Sequence, residues 1–268
     1  MFSKTFVKKL FFSIARIIGL FFLLGIPLIY FFQDRLIFQP DNSDISNCAH
    51  ANELEAMYRE KKIDSIKVRY LEFQRNFDKN IILFHGNAGS VCHRLLLAKK
   101  LLSYNYNVYL FEYPGYGGDD LSPSESLIYR SATVFIKSIN SKPYIIFGES
   151  LGTGVATYIA SKYPENIEAI LLQSPYTSIV DIGRIKYPMF PLELLIKHEF
   201  KVDDIAKSIK APVSIFVGEY DSLIPSVLSE KQSKNFQSLK ELITYPKTGH
   251  NEIQRKAKFW EDLERILK

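Results

Sequence analysis

The stretch IIFGESLGTGVATYIA, residues 145–160, decides how the rest of the chain is read. A uniformly apolar run ends at Phe147, a helix-like pattern starts near Gly152, and Ser150 lies between Gly148 and Gly152. A strand that feeds a helix through so short a turn exposes the intervening side chain and strains its backbone. Glycines two residues to either side remove the side chains that would collide there. The helix that follows also points its first amides at the turn. A serine in this position is either a nucleophile or an ordinary helix cap, since serine is favoured at helix starts for its own reasons. A nucleophilic hydroxyl needs a base within hydrogen-bonding reach, so the other strand ends must answer the question.

Short segments rich in Ile, Val, Leu, Phe and Tyr recur at 66–73, 81–84, 108–111, 144–147, 169–172, 213–217 and 242–245. All but the first are mostly apolar throughout, which suits strands covered on both faces. The first, IKVRYLEF, alternates and is expected to be an edge strand with one wet face. Helical patterns at 91–103, 125–139, 152–162, 226–236 and 252–267 fall between them. Strand–helix alternation at this spacing predicts an α/β fold, a mostly parallel sheet flanked by helices. Ligands of such sheets bind beyond the carboxyl ends of the strands. Those ends read HGNAG, EYPGYGG, GESLG, QSPY, GEYDSLIP and PKTGHNE, so glycines and polar groups gather at one rim.

His250, in TGHNE after the last strand, is the candidate base. Asp221, in GEYDSLIP after the preceding strand, is the candidate carboxylate that orients it, with Glu219 as a nearby competitor. The chain order Ser150, Asp221, His250 is that of α/β-hydrolases and not of the other two common serine arrangements. An oxyanion formed at Ser150 needs two backbone amides. Leu151, directly after the serine, and Asn87, in the HGNAG loop, are the expected donors. His85 is expected to hold that loop and not to act in catalysis. Taken alone HGNAG is a plain strand-to-helix turn; with the other three parts, in order at strand ends, it reads as part of an active site.

The segment 176–210 breaks the rhythm, with Pro188 and Pro191 interrupting any long helix, and is expected to be an insertion that either lines a pocket as a lid or merely packs down. Near the start of the sequence, LFFSIARIIGLFFLLGIPLIYFF (residues 10–32) holds one charge, Arg16. It is long enough to span a bilayer and tolerates Gly25 and Pro27 as membrane helices do. No small-x-small cleavage site follows, so an anchor is preferred to a cleaved signal or a buried core helix. Basic residues precede the span and Asp34, Arg35, Asp41 and Asp44 follow it, which predicts a cytoplasmic N-terminus with the body on the other side. The expected organisation is a tail and anchor over 1–36, a connector over 37–62 and a hydrolase domain over 63–268.

The chain has 268 residues, 47% of them hydrophobic, and a formal charge of +5. Four of its 34 basic residues lie in residues 1–16, which hold no acid; the other 30 face 29 acidic ones. A body so nearly neutral, without a basic, aromatic-interleaved segment, argues against nucleic-acid binding. Cys48 and Cys92 have no metal-ligand spacing, and whether they pair is open.

With these residues in view, the chain resembles the α/β-hydrolase superfamily. More narrowly it resembles the membrane-anchored branch of Bem46-like proteins and the α/β-hydrolase-domain 12, 13 and 17 proteins. The matching stretches are RLIFQP after the anchor, LFHGNAGSVCHR, EYPGYGG, FGESLGTGVA, GEYDSLIP and YPKTGHNE. The resemblance implies a triad of Ser150, Asp221 and His250, oxyanion donors at Asn87 and Leu151, and a serine esterase acting on lipid or acyl substrates, as lysophospholipases and depalmitoylases do. Asp119 and Leu121 stand where that family often carries a serine and a glycine, so the mouth of the site is expected to differ. The expected chemistry is two-step acyl transfer to an ester or thioester of a small or lipid-linked acyl substrate, with no metal or organic cofactor. The competing readings are an amidase or peptidase using the same site, and a hydrolase-fold binding protein without activity.

Overall fold

The apolar runs assemble into one eight-stranded sheet in the computed structural model of the chain, which describes residues 4–139 and 143–268. Its strands are β1 (Met57–Ile63), β2 (Ile66–Phe73), β3 (Lys79–Phe84), β4 (Tyr106–Glu112), β5 (Tyr144–Glu149), β6 (Ile167–Gln173), β7 (Val213–Gly218) and β8 (Leu239–Tyr245). Their spatial order is β8-β7-β6-β5-β3-β4-β2-β1. Strands β3 to β8 run parallel, and β2 is antiparallel to both β4 and β1.

The edge is a correction to the sequence reading. Residues 66–73 pair on both sides, and the true edge strand is 57–63, six residues of which fall in the expected connector. Its sequence, MYREKKI, carries four charges and is mostly exposed, so it offers no apolar run. What makes it a strand is its partner: Asp64 and Ser65 both adopt positive φ (48° and 66°) and close a two-residue hairpin onto β2.

Each central strand is buried on both faces because alternate side chains enter different cores. Ile82, Phe84, Phe111, Ile146 and Leu172 face the helices α3 (Glu125–Ser138) and α4 (Leu151–Lys162). Ile81, Leu83, Leu110, Phe147 and Phe216 face helix α2 (Leu95–Ser103) and the helix Ala257–Leu267. The strand order reverses at β3, whose successor β4 lies on one side while β5 lies on the other. That is the topological switch point at which a crevice opens above the carboxyl ends. It puts the loop after β3 beside the turn after β5.

Helix α1 (Lys4–Ile37) contains a window, Lys8–Ile37, of mean hydropathy 2.2 with none of its apolar stretch buried in the protein. An unburied apolar helix of this length is consistent with a membrane anchor. Its last turns are docked. Gln33 is buried, donating to the carbonyls of Leu195 (2.9 Å) and Tyr30 (3.0 Å) and accepting from the Lys197 N–H (2.6 Å). Leu195 and Lys197 belong to the 176–210 insertion, which forms short helices α5 (Ile179–Lys186), α6 (Leu192–Leu195) and α7 (Asp203–Ala206). Beyond α1, Gln39 and Pro40 pair in parallel with Ala88 and Gly89, and a Cys48–Cys92 disulfide ties the following loop to the start of the α2 region.

Candidate active site

Ser150 has φ +51° and ψ −118° and makes no capping bond to the helix it precedes. A serine held in this sparsely populated region costs roughly 1–3 kcal/mol, which the surrounding contacts must offset. The reason it can exist is steric. A Cβ on Gly152 would lie 2.0 Å from the Phe84 carbonyl oxygen, and one on Gly148 would lie 2.8 Å from the Gly152 oxygen. The Ser150 N–H is used by the Gln173 carbonyl at 2.9 Å. With its backbone so fixed, the hydroxyl leaves the helix and meets His250: Oγ and Nε2 are 3.0 Å apart.

His250 sits at the start of a 3-10 turn (His250–Arg255) after β8. Its Nδ1 is 2.6 Å from Asp221 Oδ2. The other carboxylate oxygen, Oδ1, accepts from the N–H groups of Leu223 (2.9 Å) and Ile224 (2.7 Å), so Asp221 is held by its own loop. Its side chain is fully buried. Glu219 is turned away and accepts from the Lys247 N–H at 2.7 Å. An imidazole whose Nδ1–H is held by a carboxylate presents Nε2 as an acceptor to the serine hydroxyl, which is the arrangement that removes a proton during attack.

Asn87 and Leu151 flank Ser150 at the base of a cavity of about 820 Å³. Leu151 is the first residue of α4, whose leading amides have no intrahelical acceptor. The Asn87 carbonyl is occupied by the Gln39 N–H (2.9 Å) and the Tyr116 hydroxyl (2.8 Å), and its side chain donates to the Ile37 carbonyl (3.1 Å). A Cβ at Gly86 would be 3.2 Å from Glu149 Oε1 and 3.3 Å from the Arg94 guanidinium, so glycine lets this loop sit against the pair beside Ser150. The cavity walls are apolar. One comes from the insertion, including Ile179, Ile182 and Phe190, and the other from α1, including Leu28, Phe32 and Leu36. The insertion therefore lines a pocket and also packs down, through Val180, Leu192 and Leu195 against Ile26 and Ile29. A second hollow of about 690 Å³ beside Cys48 and Cys92 shares no residue with it.

Residues 79–202 match the family described as alpha/beta hydrolase fold. With that match, the strand order and the serine turn agree. The chain has the α/β-hydrolase fold. It has homology to the bem46-like and ABHD12-like branches. It is 34% identical over 179 residues to an uncharacterized protein of Mycobacterium tuberculosis, covering 64% of this chain and 63% of that one. It is 36% identical over 173 residues to the lysophosphatidylserine lipase ABHD12 of Xenopus tropicalis, covering 56% of this chain and 45% of that protein. The chain thus spans under two thirds of the length of these relatives. Among solved structures, the Pyrococcus furiosus esterase Pf2001 superposes with a TM-score of 0.66 at 19% identity, over 85% of this chain and 98% of that one.

Three supports of this α/β-hydrolase site have partners that the sequence does not announce. Arg94 forms a two-pronged pair with Glu149 (3.0 and 3.2 Å) and donates to the Ala88 carbonyl (3.0 Å), joining the serine turn to the Asn87 loop. His85 is fully buried; Nε2 lies 2.9 Å from Glu112, whose other oxygen accepts from the Val91 N–H at 3.1 Å. Gln254, one turn after His250, donates to Gln173 at 3.0 Å. The Arg94–Glu149 and His85–Glu112 pairs span 55 and 27 residues, and no local pattern announces partners so far apart. The expectation about Asp119 is corrected. Its carboxylate pairs with Lys67 (2.7 Å) and Arg69 (3.6 Å) on the β2 side of the sheet, and neither it nor Leu121 lines the cavity. Burial raises the Asp119 carboxyl, but the Lys67 bond, the Arg69 charge and the Gly115 amide more than offset this and leave it below the ordinary range.

Proposed function

We propose that the protein is a serine hydrolase that cleaves carboxylic esters or thioesters of lipid or acyl substrates through an acyl-enzyme intermediate. The observation that carries this reading is the unbroken Ser150–His250–Asp221 hydrogen-bonded chain, with its serine in a positive-φ turn at the base of an apolar cavity. His250 Nε2 takes the Ser150 proton as Oγ attacks the carbonyl carbon. The N–H groups of Leu151 and Asn87 donate to the oxyanion, a contribution of about 3 kcal/mol each to the transition state. The imidazolium, stabilised by an ionised Asp221, then protonates the departing alcohol or thiol. Water, deprotonated by the same nitrogen, attacks the acyl-enzyme; the acid leaves and Ser150 recovers its proton. The lipase name of the ABHD12 relatives and the apolar walls both favour an acyl substrate.

Helix α1 anchors this domain, with the body on the non-cytoplasmic side. Lys4, Lys8 and Lys9 ahead of the span support that orientation, as does the Cys48–Cys92 disulfide, a bond that persists in oxidising compartments. Protease treatment of intact cells tests it: the body is degraded, and full protection overturns the orientation. For the activity, wild-type protein is covalently labelled by a fluorophosphonate and Ser150→Ala is not. Equal labelling of the two overturns the hydrolase reading.

A further inference from the structure

From the cavity walls we infer that helix α1 is itself half of an acyl-chain binding site, and that a bilayer lipid enters it sideways between α1 and the insertion. The inference rests on the hydrolase reading and adds to it a role for the anchor in substrate recognition.

The α1 residues that line the cavity are Phe21, Gly25, Leu28, Ile29, Phe32 and Leu36, along with the polar turn around Gln33 and Arg35. Their spacing puts the apolar six on one face of the helix. At one end the face meets the site: the Ile37 carbonyl holds the Asn87 side chain, and Ile37, Asn87 and Ser150 share the cavity. At the other end it is closed by Phe190, whose ring stacks on Phe21 at a centroid distance of 5.2 Å. Phe190 fits there because residue 25 is glycine; a Cβ at Gly25 would be 2.6 Å from the tip of its ring. From Gly25 to Ile37 the helix rises about 18 Å, the extent of a long acyl chain laid along it with its carbonyl at Ser150.

Beside the slot the insertion exposes Ile185, Tyr187, Met189 and Leu194 among the charged Arg184, Lys186 and Glu193, a mixed surface of the kind that lies at a membrane interface. The Phe190–Gly25 contact also lies about 12 Å along the helix from Gln33, the first polar residue after the apolar run, so the insertion reaches alongside the bilayer-spanning stretch. A slot with one wall on a membrane helix, lined mostly by apolar groups with Arg35 and Lys186 as its charged members, is open to lipid tails without passage through water. Among the described residues no carboxylate lines it.

The experiment uses the full chain in liposomes and a series of p-nitrophenyl esters from acetate through octanoate and palmitate to arachidate. Leu28→Trp, which fills the middle of the slot, is expected to lower kcat/KM for palmitate by about tenfold or more while acetate changes by less than about twofold. Leu23→Trp, on the opposite and exposed side of α1, is expected to change neither. Phe190→Ala, which opens the closed end, is expected to raise activity on esters longer than palmitate relative to acetate, a gain that misfolding cannot mimic. A fluorophosphonate carrying a long alkyl chain with a terminal photoreactive group, once attached to Ser150, is expected to crosslink to the α1 peptide around Gly25 or to Phe190. Unchanged chain-length profiles in both Leu28→Trp and Phe190→Ala, equal effects of Leu28→Trp and Leu23→Trp, or crosslinks confined to the sheet domain overturn the inference while the hydrolase reading stands. A wild-type protein that neither hydrolyses any ester nor takes the fluorophosphonate overturns the hydrolase reading, and this inference with it.

Discussion

Replacing Asp221 with asparagine changes one atom, and the structure dictates what that atom does. Oδ1 accepts two backbone N–H groups, from Leu223 at 2.9 Å and Ile224 at 2.7 Å. An NH2 turned toward those two donors would set its hydrogens against both of theirs and leave them without an acceptor, so the asparagine must keep its carbonyl oxygen there. Its NH2 is then aimed at His250 Nδ1, 2.6 Å away in the wild type. Nδ1 can receive that donor only by giving up its own proton, which moves the proton to Nε2, the nitrogen facing Ser150 at 3.0 Å. A protonated Nε2 cannot accept the serine proton. The wrong tautomer in an otherwise intact triad costs about 10⁴-fold in kcat, or about 5.5 kcal/mol of transition-state stabilisation. KM should move little, since the apolar walls are untouched. The assay is hydrolysis of an activated ester by Asp221→Asn and wild type, with circular dichroism and Tm to show an unchanged fold. Glu219→Gln is the control, expected to stay within about threefold because Glu219 bonds only the Lys247 amide. A loss below tenfold for Asp221→Asn, or equal losses for the two variants, refutes the assignment of Asp221 as the orienting group.

Gly152→Ala drives a methyl group into the Phe84 and His85 carbonyls; pushing α4 from β3 should destabilise the protein by about 1–3 kcal/mol and, by shifting Ser150 against Asn87, lower kcat by about 10²-fold, both read from a melting curve and an esterase assay. Reducing Cys48–Cys92, which closes a loop over a sequence separation of 44, should cost about 2–4 kcal/mol, visible as a lower Tm in reductant that Cys48→Ala/Cys92→Ala reproduces and that reductant no longer changes in that variant. Asp119, lowered by Lys67, Arg69 and the Gly115 amide against the opposing effect of burial, adds stability that is present above its unfolded value near 3.8 and lost as pH falls through the lower folded value. The Tm difference between wild type and Asp119→Asn should therefore be full at neutral pH and close in the acid range below about 4; a difference that persists unchanged there contradicts the ion-pair account.

The sequence discloses the parallel part of the sheet because burial on both faces forces each of those strands to be a short apolar run, and it discloses the rim because nearly every loop there breaks with glycine. Edge strand 57–63 was hidden for the opposite reason: with one face wet and four charges, its strand character comes from the Asp64–Ser65 turn and from β2, not from its own apolar content. The same division holds in the site. Ser150, Asp221 and His250 could be named because each follows an apolar run and shares a fixed chain order, and the structure brings the three within hydrogen-bonding distance. Arg94, Glu149 and Glu112 carry no such marker. A charged residue near a loop is usually solvated, and only the fold turns these into buried or half-buried partners, Arg94 of Glu149 and Glu112 of His85. The insertion was undecided between pocket and packing for a related reason: its apolar residues do both, and which they touch depends on a helix that lies more than a hundred residues earlier in the chain.

That helix also bears on where the chemistry happens. The carbonyl of Ile37 lies in the last turn of α1, among those left without an intrahelical partner, and the Asn87 side-chain amide supplies one. The same asparagine has its backbone carbonyl held by Gln39, two residues beyond the helix, and by Tyr116. Its remaining backbone group, the N–H, is the proposed oxyanion donor. End of anchor and oxyanion loop are thus one hydrogen-bonded unit, further clamped through Gln33 to the insertion. If α1 spans a bilayer, the site cannot swing on a flexible tether; it is held at the level of the helix end, with its apolar cavity opening along the helix and not away from it. A tether would have needed only length. The bonds made by Gln33, Ile37 and Gln39 give α1 a fixed angle and depth, and a site that draws its substrate from the membrane depends on both.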